Sequence, residues 1–148
     1  MSFPAIEGLR PTSDRIRETL FNWLQPYLPG ATCVDLFSGS GALGFEAASR
    51  GADKVDMVEL DLQAYKQLQQ NKTMLSADRC SLFRQPAQQF INQTNTVYDV
   101  VFIDPPFQQE LWFEIADLLT RNNLLHQNSL IYLECSKTQS LERLPDNW

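Results

Sequence analysis

This 148-residue chain has one histidine, three cysteines, and fewer bases than acids. Each shortage excludes something. His126 stands alone in a polar stretch, so neither a histidine-based triad nor a histidine-ligated metal is expected. Cys33, Cys80 and Cys135 are odd in number, far apart and set in apolar segments. They read as buried, reduced thiols rather than a disulfide framework or a Cys-x-x-Cys metal site, and no metal site is assigned. No apolar run approaches the roughly 18 residues of a membrane span. The start, MSFPAIEGLR, lacks the basic-then-apolar layout of a signal peptide, so a cytoplasmic protein with no membrane partner is expected.

Twelve Lys and Arg against eighteen Asp and Glu leave a net charge of −6. Proteins that hold polyanions chiefly through phosphates are usually basic. The imbalance is uneven, because Arg10, Arg15 and Arg17 balance Glu7, Asp14 and Glu18 over residues 1–21. A polyanion would have to approach that amino-terminal side.

What is present is alternation. Residues 11–24, PTSDRIRETLFNWL, read as a helix capped by Thr12, Ser13 or Asp14, with Ile16, Leu20, Trp23 and Leu24 on one face. Strands are expected over Thr32–Phe37, Lys54–Leu60, Ser81–Arg84, Val100–Ile103 and Leu130–Cys135. Helices are expected over Ala42–Arg50, Asp61–Leu75 (Leu62, Tyr65 and Leu68 inward), Ala87–Gln93 and about Glu110–Arg121 (Leu111, Ile115, Leu118 and Leu119 inward). The Gln-Asn pairs read as solvent-facing, and Trp23 and Trp112 as core. Alternating strands and helices predict an α/β fold, a doubly wound, mostly parallel sheet. One domain is expected over 1–148, with an N-terminal segment and helix over 1–30 and a ligand-binding core over 31–148. In such sheets the loops after strands 1 and 4 meet at the switch point, where ligands bind.

Those two loops are the unusual ones. After strand 1 comes Phe37-Ser38-Gly39-Ser40-Gly41-Ala42-Leu43-Gly44, a Gly-x-Gly-x-x-Gly pattern, with Glu59 twenty residues past Gly39 at the end of strand 2. Glu59 could accept both hydroxyls of a ribose, which suits a dinucleotide or S-adenosylmethionine. Asp35, inside strand 1, is placed to meet the cationic amino end of a methionine. The fourth strand stops in Asp104-Pro105-Pro106-Phe107. Proline donates nothing to a sheet and forces its predecessor into extended geometry, so this turn is rigid, with free carbonyls. Hydride transfer has no use for it. Methyl transfer to an exocyclic amine does, because the Asp104 carboxylate and Pro105 carbonyl can accept the amine's two hydrogens while Phe107 stacks on the base. An NAD-dependent reductase remains the alternative from another reaction class.

GLRPTSDRIRETLFNWL, DLFSGSGALGFEAASRGA, VELD and FIDPPF together resemble the RsmD family of bacterial ribosomal RNA methyltransferases, from about Gly8 to the chain end. The resemblance implies a Rossmann-like fold and S-adenosylmethionine-dependent methylation of N2 of one guanine in 16S ribosomal RNA of the small subunit or its assembly intermediate. By position it implies that Asp104, Pro105, Pro106 and Phe107 hold the guanine amine. Asp35, Phe37, Ser38, Gly39, Ser40, Gly41, Glu59, Leu60 and Asp61 would line the cofactor, with Thr12 closing over it. Arg10, Arg15 and Arg17 would contact RNA, and the protein would act as a monomer.

Three departures from the family pattern accompany this. Pro86 stands before Ala87 where an Asp or Asn usually contacts adenine, so Gln85 or a backbone group at Ala87 must serve. A basic β-hairpin ahead of the Arg-Pro-Thr segment and two strands after strand 5 are missing, so a fragment or shortened form is expected. Other amino-group transfers, to DNA adenine N6 or a protein glutamine, usually carry Asn in place of Asp104. A non-catalytic fragment that only binds cofactor or ribosomal partners is the remaining alternative.

Overall fold

A computed structural model describes the backbone of residues 10–104 and 110–133, and side chains over 15–104 and 113–132. The elements alternate as expected: α1 (Arg10–Leu24), a 3-10 turn (Gln25–Tyr27), β1 (Thr32–Asp35), α2 (Ala42–Ser49), β2 (Lys54–Val58), α3 (Leu62–Leu75), β3 (Cys80–Phe83), α4 (Ala87–Gln93), β4 (Tyr98–Ile103), α5 (Glu110–Arg121) and β5 (Leu125–Leu133). The strands lie in the order β3-β2-β1-β4-β5, and every pairing is parallel. The chain starts in the middle, winds outward through β2 and β3, then returns to β4 beside β1. The switch point therefore falls between β1 and β4.

Strand alternation sends neighbouring residues to opposite faces. On one face Cys33, Val55, Met57, Cys80, Val100 and Phe102 meet Phe21 and Leu24 of α1, Leu43, Phe45 and Ala47 of α2, and Leu68 of α3. On the other, Val34, Val58, Val101 and Ile103 meet Phe90 and Ile91 of α4 and Ile115 and Leu119 of α5. No helix among the described residues is long and apolar enough to cross a membrane.

Several expectations need correcting. α1 begins at Arg10, so Thr12, Ser13 and Asp14 lie within the helix rather than capping it. Trp23 is 61% exposed and pairs with Tyr27 at 6.0 Å, while Phe21 fills the core against Phe102 at 5.7 Å. At about 100° per residue Trp23 is rotated off the stripe that Leu24 and Leu28 bury. Leu62 is 42% exposed, because Asp61 caps α3 by accepting from the Ala64 N–H at 2.9 Å and turns that residue outward. β2 ends at Val58, leaving Leu60 exposed beyond the sheet.

β5 starts five residues earlier than expected. Its register skips between Leu125 opposite Tyr98 and Leu130 opposite Val100. The intervening polar run is held by its own side chains: Ser129 Oγ donates to the Tyr98 carbonyl at 2.7 Å, and His126 Nε2 lies 2.7 Å from Asp99 Oδ1. Cys33 and Cys80 are buried free thiols, whereas Cys135, Leu111 and Trp112 lie outside the described side chains.

Candidate active site

The site forms where β1, β2 and β4 end on the same edge of the sheet. β1 ends at Asp35, and the chain turns through Ser38 to Gly41 into α2. The turn requires glycine twice, since Gly39 and Gly41 have φ of 56° and 98°. Gly44 is needed for a different reason. A Cβ there would sit 2.5 Å from Met57 Cε and 2.8 Å from its Sδ, so α2 could not approach β2 as closely.

Hydrogen bonds from several sides hold the turn. Ser38 N–H donates to the Val58 carbonyl at 2.9 Å, and Ser38 Oγ to the Asp35 carbonyl at 3.0 Å. Gly41 N–H closes on the Ser38 carbonyl at 2.8 Å. Glu59, just past β2, accepts from Gly39 N–H through Oε1 at 2.7 Å and from Asp61 N–H through Oε2 at 3.0 Å. Each carboxylate oxygen keeps a second lone pair, so the acid is fixed in orientation and still able to accept from a ligand. From α3, Asn71 Nδ2 donates to the Ser40 carbonyl at 2.8 Å.

Asp35 is the least ordinary group. Its side chain is 1% exposed, Oδ2 accepts from Gly44 N–H at 3.2 Å, and the Phe37 N–H and Ser38 hydroxyl lie close enough to favour its charged form, while among the described residues Oδ1 makes no hydrogen bond of good geometry. Burial, and secondly the charge of Asp104, push its carboxyl up to about 7. Asp104 follows β4 directly and is half-buried, and burial raises its carboxyl as well. Two acids on adjacent strands therefore share one electrostatic environment at the switch point. That is an arrangement a cation relieves.

The remaining expected site residues fall into three groups. Phe37 is half-buried and Ser40 exposed beside the turn, while Leu60 and Asp61 are exposed after β2. Gln85 and Ala87 come next to them, because β3 pairs with β2 and Arg84 Nε donates to the Leu60 carbonyl at 3.2 Å. Pro86 caps α4 without a side-chain bond. Arg15 is exposed and Arg17 half-buried on α1, whereas the side chains of Arg10 and Thr12, and all of Pro105, Pro106 and Phe107, lie outside the described residues. Sequence reasoning missed Asn71 and Arg84. An amide in a polar helix and an arginine after a strand carry no signal of the backbone carbonyl that each reaches.

The whole chain, residues 1–148, matches the family described as Conserved hypothetical protein 95. Ribosomal RNA small subunit methyltransferase D of Haemophilus influenzae is 47% identical over 146 residues, covering 96% of this chain and 75% of the relative. A solved structure from Escherichia coli superposes with a TM-score of 0.86 at 42% identity, covering 91% of this chain and 76% of that chain. A SAM-dependent methyltransferase from Agrobacterium tumefaciens shares the fold, with a TM-score of 0.69 at 19% identity, covering 88% of this chain and 47% of that chain. With its sheet order, glycine turn and matched sequence, the chain belongs to the Conserved hypothetical protein 95 family, the RsmD family of methyltransferases with a Rossmann-like fold.

Proposed function

We propose that this protein uses S-adenosylmethionine to methylate the exocyclic N2 amine of a guanine in 16S ribosomal RNA. The substrate is the small ribosomal subunit or its assembly intermediate, and the protein acts as a cytoplasmic monomer. The family supports methylation of ribosomal RNA. The observation that carries the cofactor assignment is the buried Asp35 carboxyl at the switch point, beside Asp104. A dinucleotide's pyrophosphate would meet this acid as a like charge, whereas the α-ammonium of a methionine moiety pairs with it.

The other residues fit the same ligand. Gly39 leaves open space for it beside the turn, and Gly41 lets the turn pack against Phe45 and Leu68, with Phe37, Ser38 and Ser40 around them. Glu59 accepts from the ribose hydroxyls, next to Asp61. Leu60 offers an apolar surface to adenine, with Gln85 and the backbone at Ala87 opposite, and Thr12 closes over the cofactor. When bound, S-adenosylmethionine supplies a methyl group on a positively charged sulfonium, an electrophile that needs an in-line lone pair.

Asp104 and the Pro105 carbonyl accept the two hydrogens of the guanine amine, which localises a lone pair otherwise delocalised into the ring. Pro106 keeps the turn rigid and Phe107 stacks on the base. Once the amine is methylated it must lose a proton. Burial raises the Asp104 carboxyl, which makes it a better acceptor for that proton than an exposed aspartate. Arg10, Arg15 and Arg17 meet the RNA on the side of the protein where acids do not outnumber bases.

Calorimetry against S-adenosylhomocysteine and NAD tests the cofactor, and NAD binding alone would overturn it. Transfer of a labelled methyl group from S-adenosylmethionine to unmodified small subunits tests the reaction. We expect transfer by the wild type and a loss of about 10²- to 10³-fold in kcat for Asp104→Ala. Undiminished activity in that variant would remove Asp104 from the mechanism.

A further inference from the structure

We infer that Asn71, oriented by Gln67, is a positioning residue that locks the glycine turn for cofactor binding. The inference rests on the S-adenosylmethionine reading above. Two residues of the turn hold φ values that only glycine adopts readily, so its geometry depends on what grips it from outside. The Ser38, Gly39, Gly41 and Gly44 contacts all come from β1, β2, the residues just after them or the turn itself. Asn71 is different. It reaches across from the third turn of α3, thirty-one residues away, to hold the Ser40 carbonyl at 2.8 Å.

The orientation of this amide is fixed by chemistry. A backbone carbonyl only accepts, so Nδ2 must face Ser40 and Oδ1 must face away. Gln67, one turn earlier on the helix, meets that Oδ1 by donating from Nε2 at 2.9 Å. The pair is directional: Gln67 donates to Asn71, and Asn71 donates to the turn. α3 also touches the site at its other end, where Asp61 caps the helix and its N–H holds Glu59 Oε2 at 3.0 Å. One helix thus braces both the ribose carboxylate and the glycine turn, although neither Gln67 nor Asn71 is needed for chemistry at the methyl group.

Loss of one such bond is worth roughly tenfold or less in affinity when it holds a binding loop in place. In the full chain, Asn71→Ala should raise the Kd for S-adenosylhomocysteine and the KM for S-adenosylmethionine by about 3- to 10-fold. At saturating cofactor, kcat should stay within about twofold, and the KM for RNA should not move. Gln67 supplies a control that leaves Asn71 in place. Gln67 is exposed, so Gln67→Glu should fold normally, but it replaces the donor with an acceptor and turns the Asn71 amide over. It should weaken cofactor binding like Asn71→Ala and add less than about 1.5-fold on top of it. Gln67→Arg, which keeps a donor, should restore wild-type affinity.

If wild-type protein binds S-adenosylhomocysteine and the Asn71→Ala and Gln67→Glu variants bind it within twofold, the clamp is overturned and the cofactor reading stands. Wild-type protein that does not bind S-adenosylhomocysteine overturns both.

Discussion

Asp35→Asn should make the cofactor-free protein more stable and its cofactor binding much weaker. The side chain is 1% exposed and its carboxyl is raised from 3.8 to about 7. At 1.36 kcal/mol per unit, holding it ionised in the folded protein at pH 8 costs about 4 kcal/mol. Asparagine removes the charge and keeps an oxygen for Gly44 N–H, but buries an amide hydrogen pair that needs acceptors, returning about 1–3 kcal/mol of that gain. A net stabilisation of about 1–3 kcal/mol remains, which for a chain of this size is a rise of several degrees in Tm.

The sign with pH is fixed. The folded protein binds a proton at Asp35 that the unfolded chain has released between pH 3.8 and about 7, so wild-type stability from this group falls as pH rises through that window. The advantage of the variant is therefore full above pH 7, shrinks as pH falls through that window, and gives way toward pH 4 to the amide's cost of about 1–3 kcal/mol. Urea unfolding of wild type and variant at pH 8 and pH 4.5 measures it. Calorimetry at pH 8 should show S-adenosylhomocysteine binding weakened about 10²-fold, the loss expected for a charge-assisted hydrogen bond. A variant that is less stable at pH 8, or that binds as the wild type does, would refute the assignment of Asp35 as an acid kept buried for a cation.

Four further outcomes follow from the same geometry. Because Asp35 must be ionised to hold an ammonium group, the Kd for S-adenosylhomocysteine should rise as pH falls below about 7, by up to tenfold per unit, and be flat above it. Gly44→Ala should cost about 1–3 kcal/mol in chemical denaturation, since its Cβ would meet the fully buried Met57, and Met57→Val should recover part of the loss. Asp99, whose carboxyl is lowered first by the Thr32 N–H and then by His126, stabilises the fold above its unfolded pKa of 3.8. Asp99→Ala should cost about 1 kcal/mol at pH 7, Asp99→Asn less, and both differences should shrink in thermal melts at pH 3 as the wild-type carboxyl protonates. Finally, assembled small subunits should be methylated faster than naked 16S RNA, because a chain with net charge −6 grips phosphates poorly and relies on other contacts; equal rates would remove that expectation.

Much of the scaffold was legible because periodicity and punctuation agreed. α4 and α5 lie where the sequence put them, and the glycine pattern after β1 announced its own turn. The helix faces were less legible where an aromatic residue sat beside the apolar stripe. Phe21 and Trp23 are two residues apart, and only packing decides that Phe21 meets Phe102 while Trp23 pairs with Tyr27. The start of β5 was hidden by His126 to Ser129, a polar run that reads as a loop until Asp99 and the Tyr98 carbonyl provide its partners. The meeting of the acids and glycines at one sheet edge was legible, and the contacts that support the turn were not. Nothing in the sequence indicates that Tyr98 donates to the buried Asp56 at 2.6 Å across β1, or that Asn71 holds Ser40. Such contacts depend on register and helix rotation, which a single sequence constrains only loosely.

In the proposed site, β1, β2 and β4 bring Asp35 for the ammonium, Glu59 for the ribose and Asp104 for the amine to one edge of the sheet. Nucleoside analysis of small-subunit RNA labelled by the protein tests it most directly. Label is expected in N2-methylguanosine, lost together with activity in Asp104→Ala. Label in N6-methyladenosine, or no label in any RNA nucleoside, would contradict it.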